Sequence, residues 1–125
     1  MTFITIDKPI RDQKVDCPRR LLADVQGIAV IPLGEEIRSI TVSICEPHTE
    51  NCGRRVPMQI SPPETSESDA TYTWSIRLPG MNDPPGVPIW NCNAGGVANE
   101  IRAVLELEDP HENPDPKTKT FSATC

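Results

Sequence analysis

The sequence predicts an all-β protein, a sandwich of about seven antiparallel strands, and three observations carry that expectation. Two long stretches alternate strictly: Tyr72, Trp74, Ile76 and Leu78 share one side of the first, and Ile101, Ala103, Leu105 and Leu107 share one side of the second. Successive side chains on a strand point to opposite faces, so a period of two marks strands with one buried and one wet face. Shorter runs of the same kind flank both at sandwich-like spacing, with no room for crossover helices. The 14 prolines outnumber the 7 glycines, and Pro62, Pro63, Pro84, Pro85, Pro88, Pro110, Pro114 and Pro116 lie between the runs. There a locked φ stiffens loops and a missing N–H blocks edge pairing.

The elements follow in order. Thr2–Ile6 is a first strand, and Asp7–Asp24 is a charged, irregular arm with Cys17-Pro18 in a turn. Residues 1–24 therefore form an N-terminal strand and arm, and 25–125 the sandwich. A chain of 125 residues suffices for one core, so the two belong to one domain. Val25–Ile31 is an apolar run suited to a strand buried on both faces, and Pro32–Glu36 is a turn. Ile37–Cys45 points Ile40, Val42 and Ile44 inward and Ser39, Thr41 and Ser43 outward. Arg55–Ile60 contains Pro57, which suits an edge strand. Ser61–Ala70 is polar and acidic without a hydrophobic anchor, and is expected to be a mobile loop. The strand Thr71–Leu78 precedes a long insertion, Pro79–Ala98, and the strand Asn99–Glu108. An acidic turn, Asp109–Pro116, leads to a last strand, Lys117–Thr124, with Phe121 and Ala123 inward. Aromatic residues make up only 4% of the chain, so Ile, Val and Leu supply the core.

A net charge of −6 argues against nucleic acid, because a phosphate-binding face needs clustered Lys and Arg, and the pairs Arg19-Arg20 and Arg54-Arg55 are isolated. No stretch is long and apolar enough to span a bilayer. The opening Met1-Thr2-Phe3-Ile4-Thr5-Ile6 has no signal-peptide pattern and reads as a strand. Either a leader has been removed, or the chain is made in a cytosol and leaves it by another route, such as assembly into a virus particle.

The five cysteines are Cys17, Cys45, Cys52, Cys92 and Cys125. Cys45 and Cys52 bracket a polar loop after a strand, where a local disulfide is geometrically easy. Cys125 shares parity with Phe121 and Ala123 and so should face inward, where Cys17 or Cys92 can meet it. Two bridges, with Cys45, Cys52, Cys17 and Cys125 as the candidate cysteines, leave one free thiol and imply an oxidising location. The rivals are reduced structural cysteines, with Cys45 simply ending a strand, and a metal site. In the latter, Cys45-x-x-His48-x-x-x-Cys52 supplies three zinc ligands and Cys92 or His111 a fourth. Zinc modules usually show two paired knuckles and only one is present, so no metal is assigned.

The run Thr71-Tyr72-Thr73-Trp74-Ser75-Ile76-Arg77-Leu78-Pro79-Gly80-Met81 has a Trp-bearing strand entering a Pro-Gly turn, and the strand after the insertion runs from Asn99 to Asp109. In this it resembles the bacterial immunoglobulin-like domains of cell-surface and phage structural proteins. The stretch Gly34–Ile44 is similar to their central strand, so the likeness covers Val25–Thr124. Two departures stand out: the insertion Asn82–Ala98 replaces a tight connection, and Cys45 to Cys52 adds a stapled loop. The resemblance implies an immunoglobulin-like β-sandwich with Trp74 in the core beneath Leu105. It implies no catalysis, and roles as spacer, adhesion module or virion decoration.

The best contact surface lies in the insertion, where Trp90 sits among Pro84, Pro85, Asn91 and Asn93. A rigid aromatic anchor contributes disproportionately to binding. The alternative is that Trp90 folds back to plug an open end of the sandwich, the commoner fate of a large apolar side chain. Glu106, Glu108, Asp109, Glu112 and Asp115 gather oxygen ligands of the type calcium uses, but in no EF-hand spacing. His48 and His111 are the only bases near neutrality, and a Cys45–His48 pair lacks a third orienting group. The expectation is therefore a non-enzymatic, cofactor-free protein of a virion or cell surface, such as a capsid decoration or tail-associated protein. Its partners are other proteins (capsid or surface-assembly subunits, including further copies of itself), with no nucleic acid and no membrane insertion. In that role the arm Thr2–Asp16 docks on a lattice. A secreted recognition module binding glycan or receptor through Trp90 and the Cys45–Cys52 loop is the alternative.

Overall fold

The computed structural model describes residues 2–76, 86–108 and 113–125, and among these no helix occurs. The strands are β1 Phe3–Ile4, β2 Asp12–Lys14, β3 Leu21–Leu22, β4 Gln26–Pro32, β5 Ile37–Cys45, β6 Val56–Pro57, β7 Gln59–Ile60, β8 Glu64–Thr65, β9 Asp69–Ser75, β10 Val87–Pro88, β11 Val97–Leu107 and β12 Lys117–Thr124. One five-stranded sheet has the order β1-β4-β9-β7, with β8 also paired to β9. The other five-stranded sheet has the order β2-β12-β11-β5-β6, and β3 and β10 make a small ribbon. Pairing is antiparallel except between β2 and β12.

The alternating sequences form the centre. From one sheet Ile4, Ala29, Ile31 and Trp74, and from the other Ile40, Val42, Ile44, Ile101, Leu105 and Phe121, belong to one buried cluster. The result is a sandwich-like arrangement with one core. Trp74 is fully buried, in the same cluster as Leu105. Its ring lies against Gly27, the residue opposite it in the ladder, where an added Cβ would come 2.5 Å from Trp74 Cζ2. In the turn between β4 and β5, Gly34 adopts φ 93°, a conformation that side chains with a Cβ resist.

Several expected elements differ. Among the described residues about seven expected strands become twelve in three sheets, because Arg55–Ile60 divides and β2, β3, β8 and β10 form in segments expected to be irregular. Arg55–Ile60, expected as one edge strand, breaks at Met58: β6 pairs with β5 and β7 pairs with β9, so the chain changes sheets. The buried Met58 makes the corner, donating its N–H to Ile40 O at 2.8 Å. The arm Asp7–Asp24 is not irregular, since β2 lies parallel to β12, with Asp12 opposite Ser122, and β3 joins the ribbon. Val25–Ile31 is not buried on both faces: Ala29 and Ile31 are buried, whereas Ile28 and Val30 are half-exposed. Ser61–Ala70 carries a hairpin instead of an unpaired loop, with β8 on β9 and Ser66 N–H bonded to Asp69 O at 2.8 Å. Val97 and Ala98, assigned to the insertion, begin β11. Leu78 and the Pro79-Gly80-Met81 turn lie outside the described residues.

Register brings one end of the molecule into focus. Val97 lies opposite Ala123, Glu100 opposite Cys45, and Lys14 beside Thr124. The start of β11 and the ends of β5, β12 and β2 therefore meet, and residues 15–25, 46–55 and 86–96 close over them. All five cysteines and Trp90 are at this end.

Candidate functional site at the cysteine-bearing end

Two disulfides form, as the cysteine spacing favours. Cys45–Cys52 closes a loop of sequence separation 7, and Cys17–Cys125 one of separation 108. In the chain-entropy account a loop of about 100 residues gives roughly 4–5 kcal/mol, because cross-linking restricts the unfolded chain. With both sulfurs bonded, Cys45 and Cys52 cannot join His48 as zinc ligands, and His48 itself is an exposed turn residue at φ 60°. His111 lies outside the described residues. Cys125 is exposed rather than inward: the ladder ends at Thr124, and Cys125 instead donates its N–H to Asn93 O at 3.3 Å. Cys92 is the one free cysteine, half-buried against the core.

Asn99 organises the loop that carries Trp90. It occupies an inward position of β11, on the side of Ile101 and Ala103, and is 0% exposed. A buried amide requires partners, since an unpaired polar group away from water costs about 1–3 kcal/mol. Asn99 Oδ1 accepts from Trp90 N at 2.9 Å and Asn91 N at 3.2 Å. Its Nδ2 donates to Asn91 O at 2.8 Å and Val97 O at 3.0 Å. Four bonds saturate the amide and fix its orientation, because two N–H groups face one end and two carbonyls the other. On either side of this clamp the chain alternates: Val87 and Ile89 are buried, and Trp90 points out with 40% of its surface exposed.

Trp90 is therefore not the plug of the open end; Val87 and Ile89 fill that place. Asn91 is held on its side chain too, Oδ1 accepting from Arg20 Nη2 at 2.9 Å and Cys92 N at 2.9 Å. Arg20, at φ 55°, accepts Ile89 N–H on its carbonyl at 3.1 Å, tying residues 15–25 to the Trp90 loop. Asn93 forms a turn, with Oδ1 on Gly95 N at 2.9 Å and its carbonyl on Gly96 N and Cys125 N. Asn93 thus shapes the loop, while Trp90 and Asn91 form its outer surface. Pro84 and Pro85 lie outside the described residues. The sequence reading missed Asn99 and Arg20, although a polar residue at an inward parity was a visible signal for the first.

The charged groups make pairs. Arg102, on β11, reaches Glu50 in the Cys45–Cys52 loop at 2.7 Å and Glu100 at 3.6 Å. Its hydrogen bond and charge hold the Glu50 carboxyl below the ordinary range, and Glu50 raises Arg102 in return. Asp16 is likewise lowered, by the backbone N–H of Arg19 and then by its guanidinium. Among the described residues, the acids weighed for calcium face arginines or solvent. Glu106 faces Arg55 at 3.7 Å and Glu108 faces Arg38 at 3.6 Å; Asp115 is exposed, and Asp109 and Glu112 lie outside the described residues. Comparison with protein-family models, characterised proteins and solved structures found no match to this chain.

Proposed function

We propose that this protein is a non-enzymatic, immunoglobulin-like domain that works in an extracellular protein assembly, such as a phage particle, by presenting Trp90 to other proteins. The observation that carries the reading is a large aromatic ring, 40% exposed, on a loop whose backbone is clamped by the buried Asn99. Such a ring offers contact area without the ordering cost that weakens flexible loops. Sheet order supports the immunoglobulin-like part: β1-β4-β9-β7 follows the A-B-E-D order of such sandwiches, and β12-β11-β5 follows G-F-C, with β6 as an added edge strand. Two disulfides support an oxidising location. The phage example rests on the resemblance of the Trp74 and Asn99 strands.

Docking through the arm Thr2–Asp16 is no longer part of this reading. Ile4 and Ile6 are core residues and β2 is a sheet strand, so the arm is committed to the fold. One observation favours the recognition alternative: Gly53, beside the Cys45–Cys52 bridge, has its Cβ position 3.7 Å from Pro88 O. The stapled loop and the Trp90 loop thus form one continuous surface that a glycan or receptor could meet. Sedimentation velocity over a wide concentration range, with W90S alongside, tests the assembly reading. Species heavier than the 13.8 kDa monomer that diminish in W90S are expected. A monomer at every concentration, with W90S identical, would refute self-assembly through Trp90 and leave a different protein or a recognised ligand as its partner.

A further inference from the structure

We infer that Cys17, Cys92 and Cys125 form a thiol–disulfide exchange site, in which the Cys92 thiol attacks the Cys17–Cys125 bridge and releases Cys125 as an exposed attachment point for a disulfide-bearing partner. The three sulfurs lie within 4.8 Å of one another. Two are bonded and the third is free, which is the stoichiometry exchange requires. They come from the loop after β2, the Trp90 loop and the residue after β12, and the surrounding bonds hold these together: Ile89 N to Arg20 O, Arg20 Nη2 to Asn91 Oδ1, and Cys125 N to Asn93 O.

Solvation of the leaving group selects which sulfur is attacked. Cys92 Sγ donates to the backbone carbonyl of Cys17 at 3.9 Å, which keeps the thiol beside the bridge. The Cys92 thiolate bonds to Cys17 Sγ as the Cys17–Cys125 bond breaks, and the electron pair leaves on Cys125 Sγ. No oxidant is consumed, since one disulfide and one thiol become a different disulfide and thiol. Cys17 is half-buried and Cys125 is exposed, so the leaving thiolate is the one water solvates. That thiolate can then attack an external disulfide, forming a mixed disulfide at Cys125 and expelling one partner thiolate. The pair Cys45–Cys52, on the other side of this end, takes no part.

The test uses the full protein, oxidant-free, incubated at about pH 8.5 where thiolate forms. Sub-stoichiometric alkylation then precedes peptic digestion in acid, which freezes exchange. The expected result is that the labelled chains carry one label each, divided between Cys92 and Cys125, with a Cys17–Cys92 linked peptide that grows with incubation. Label on Cys92 alone, with only the Cys17–Cys125 peptide at all times, would overturn the inference. C125S in oxidised glutathione provides a second reading. A Cys17–Cys92 bridge and no alkylatable thiol are expected, whereas two glutathionylated or free cysteines would overturn it.

Discussion

Replacing Asn99 by Ala removes four hydrogen bonds, three that tie Trp90 and Asn91 to β11 and one to Val97 O within the strand. At a net value of about 1 kcal/mol per bond the ceiling is about 4 kcal/mol. The released groups on residues 90 and 91 can turn to water as the loop loosens, whereas Val97 O, inside a strand, has less freedom. The expected loss is therefore about 2–4 kcal/mol, a large share of the ~5–15 kcal/mol that holds a typical domain. N99D gives a sharper version. One carboxylate oxygen still accepts from the two N–H groups, but the other faces two carbonyls and has no proton to offer. Burial pushes this carboxyl above its ordinary range. A raised folded value means that the neutral acid is the tolerated form, so relative to wild type N99D is least impaired in acid and loses stability as pH rises through that value. Urea unfolding at 25 °C, followed by far-UV circular dichroism across pH, measures both variants. An N99A loss under about 1 kcal/mol, or an N99D deficit independent of pH, would refute the clamp.

Further outcomes follow from the same packing. G27A should lose at least about 2 kcal/mol, because the new methyl would overlap Thr5 O and the Trp74 ring; thermal unfolding checks it. W74A should lose about 3–5 kcal/mol and W90A distinctly less, since the first ring is buried and the second 40% exposed. Denaturation of the two variants side by side decides that contrast. R102M should weaken the protein at neutral pH but not in acid. Glu50 is held below its ordinary 4.5, so its contribution is present above that value and is lost as pH falls through the folded value. Stability measured against pH for both proteins should converge at the acid end. Deleting residues 1–16 should abolish cooperative unfolding, because it removes Ile4 and Ile6 from the core and β2 from β12.

The parts of the fold legible in the sequence are those governed by local alternation. Ile37–Cys45 and Lys117–Thr124 coincide with β5 and β12, and the inward residues Ile40, Val42, Ile44, Phe121 and Ala123 are all buried. What the sequence hides is pairing between distant short segments. Nothing in Asp12-Gln13-Lys14 is apolar or alternating; these residues are a strand because β12 offers them an edge. The sheet change at Met58 is equally silent, since a corner is set by which edges are open and not by residue type. Cysteine spacing pointed to both bridges but left Cys92 as a rival partner for Cys125, and the three sulfurs indeed cluster. For Trp90 burial was the commoner expectation, yet the chain period places Ile89 inward and turns Trp90 out. Asn99 read only as the start of a strand, although its parity already placed an amide in the core.

The most direct test of a rigidly displayed Trp90 is residue-resolved amide hydrogen exchange on the native protein. The Trp90 and Asn91 N–H groups, bonded to the buried Asn99 Oδ1, should be protected to nearly the level of the β11 amides although the Trp90 ring is exposed. Exchange of both amides at the rate of an open loop would contradict the account, leaving Trp90 on a flexible segment with no preformed surface to offer.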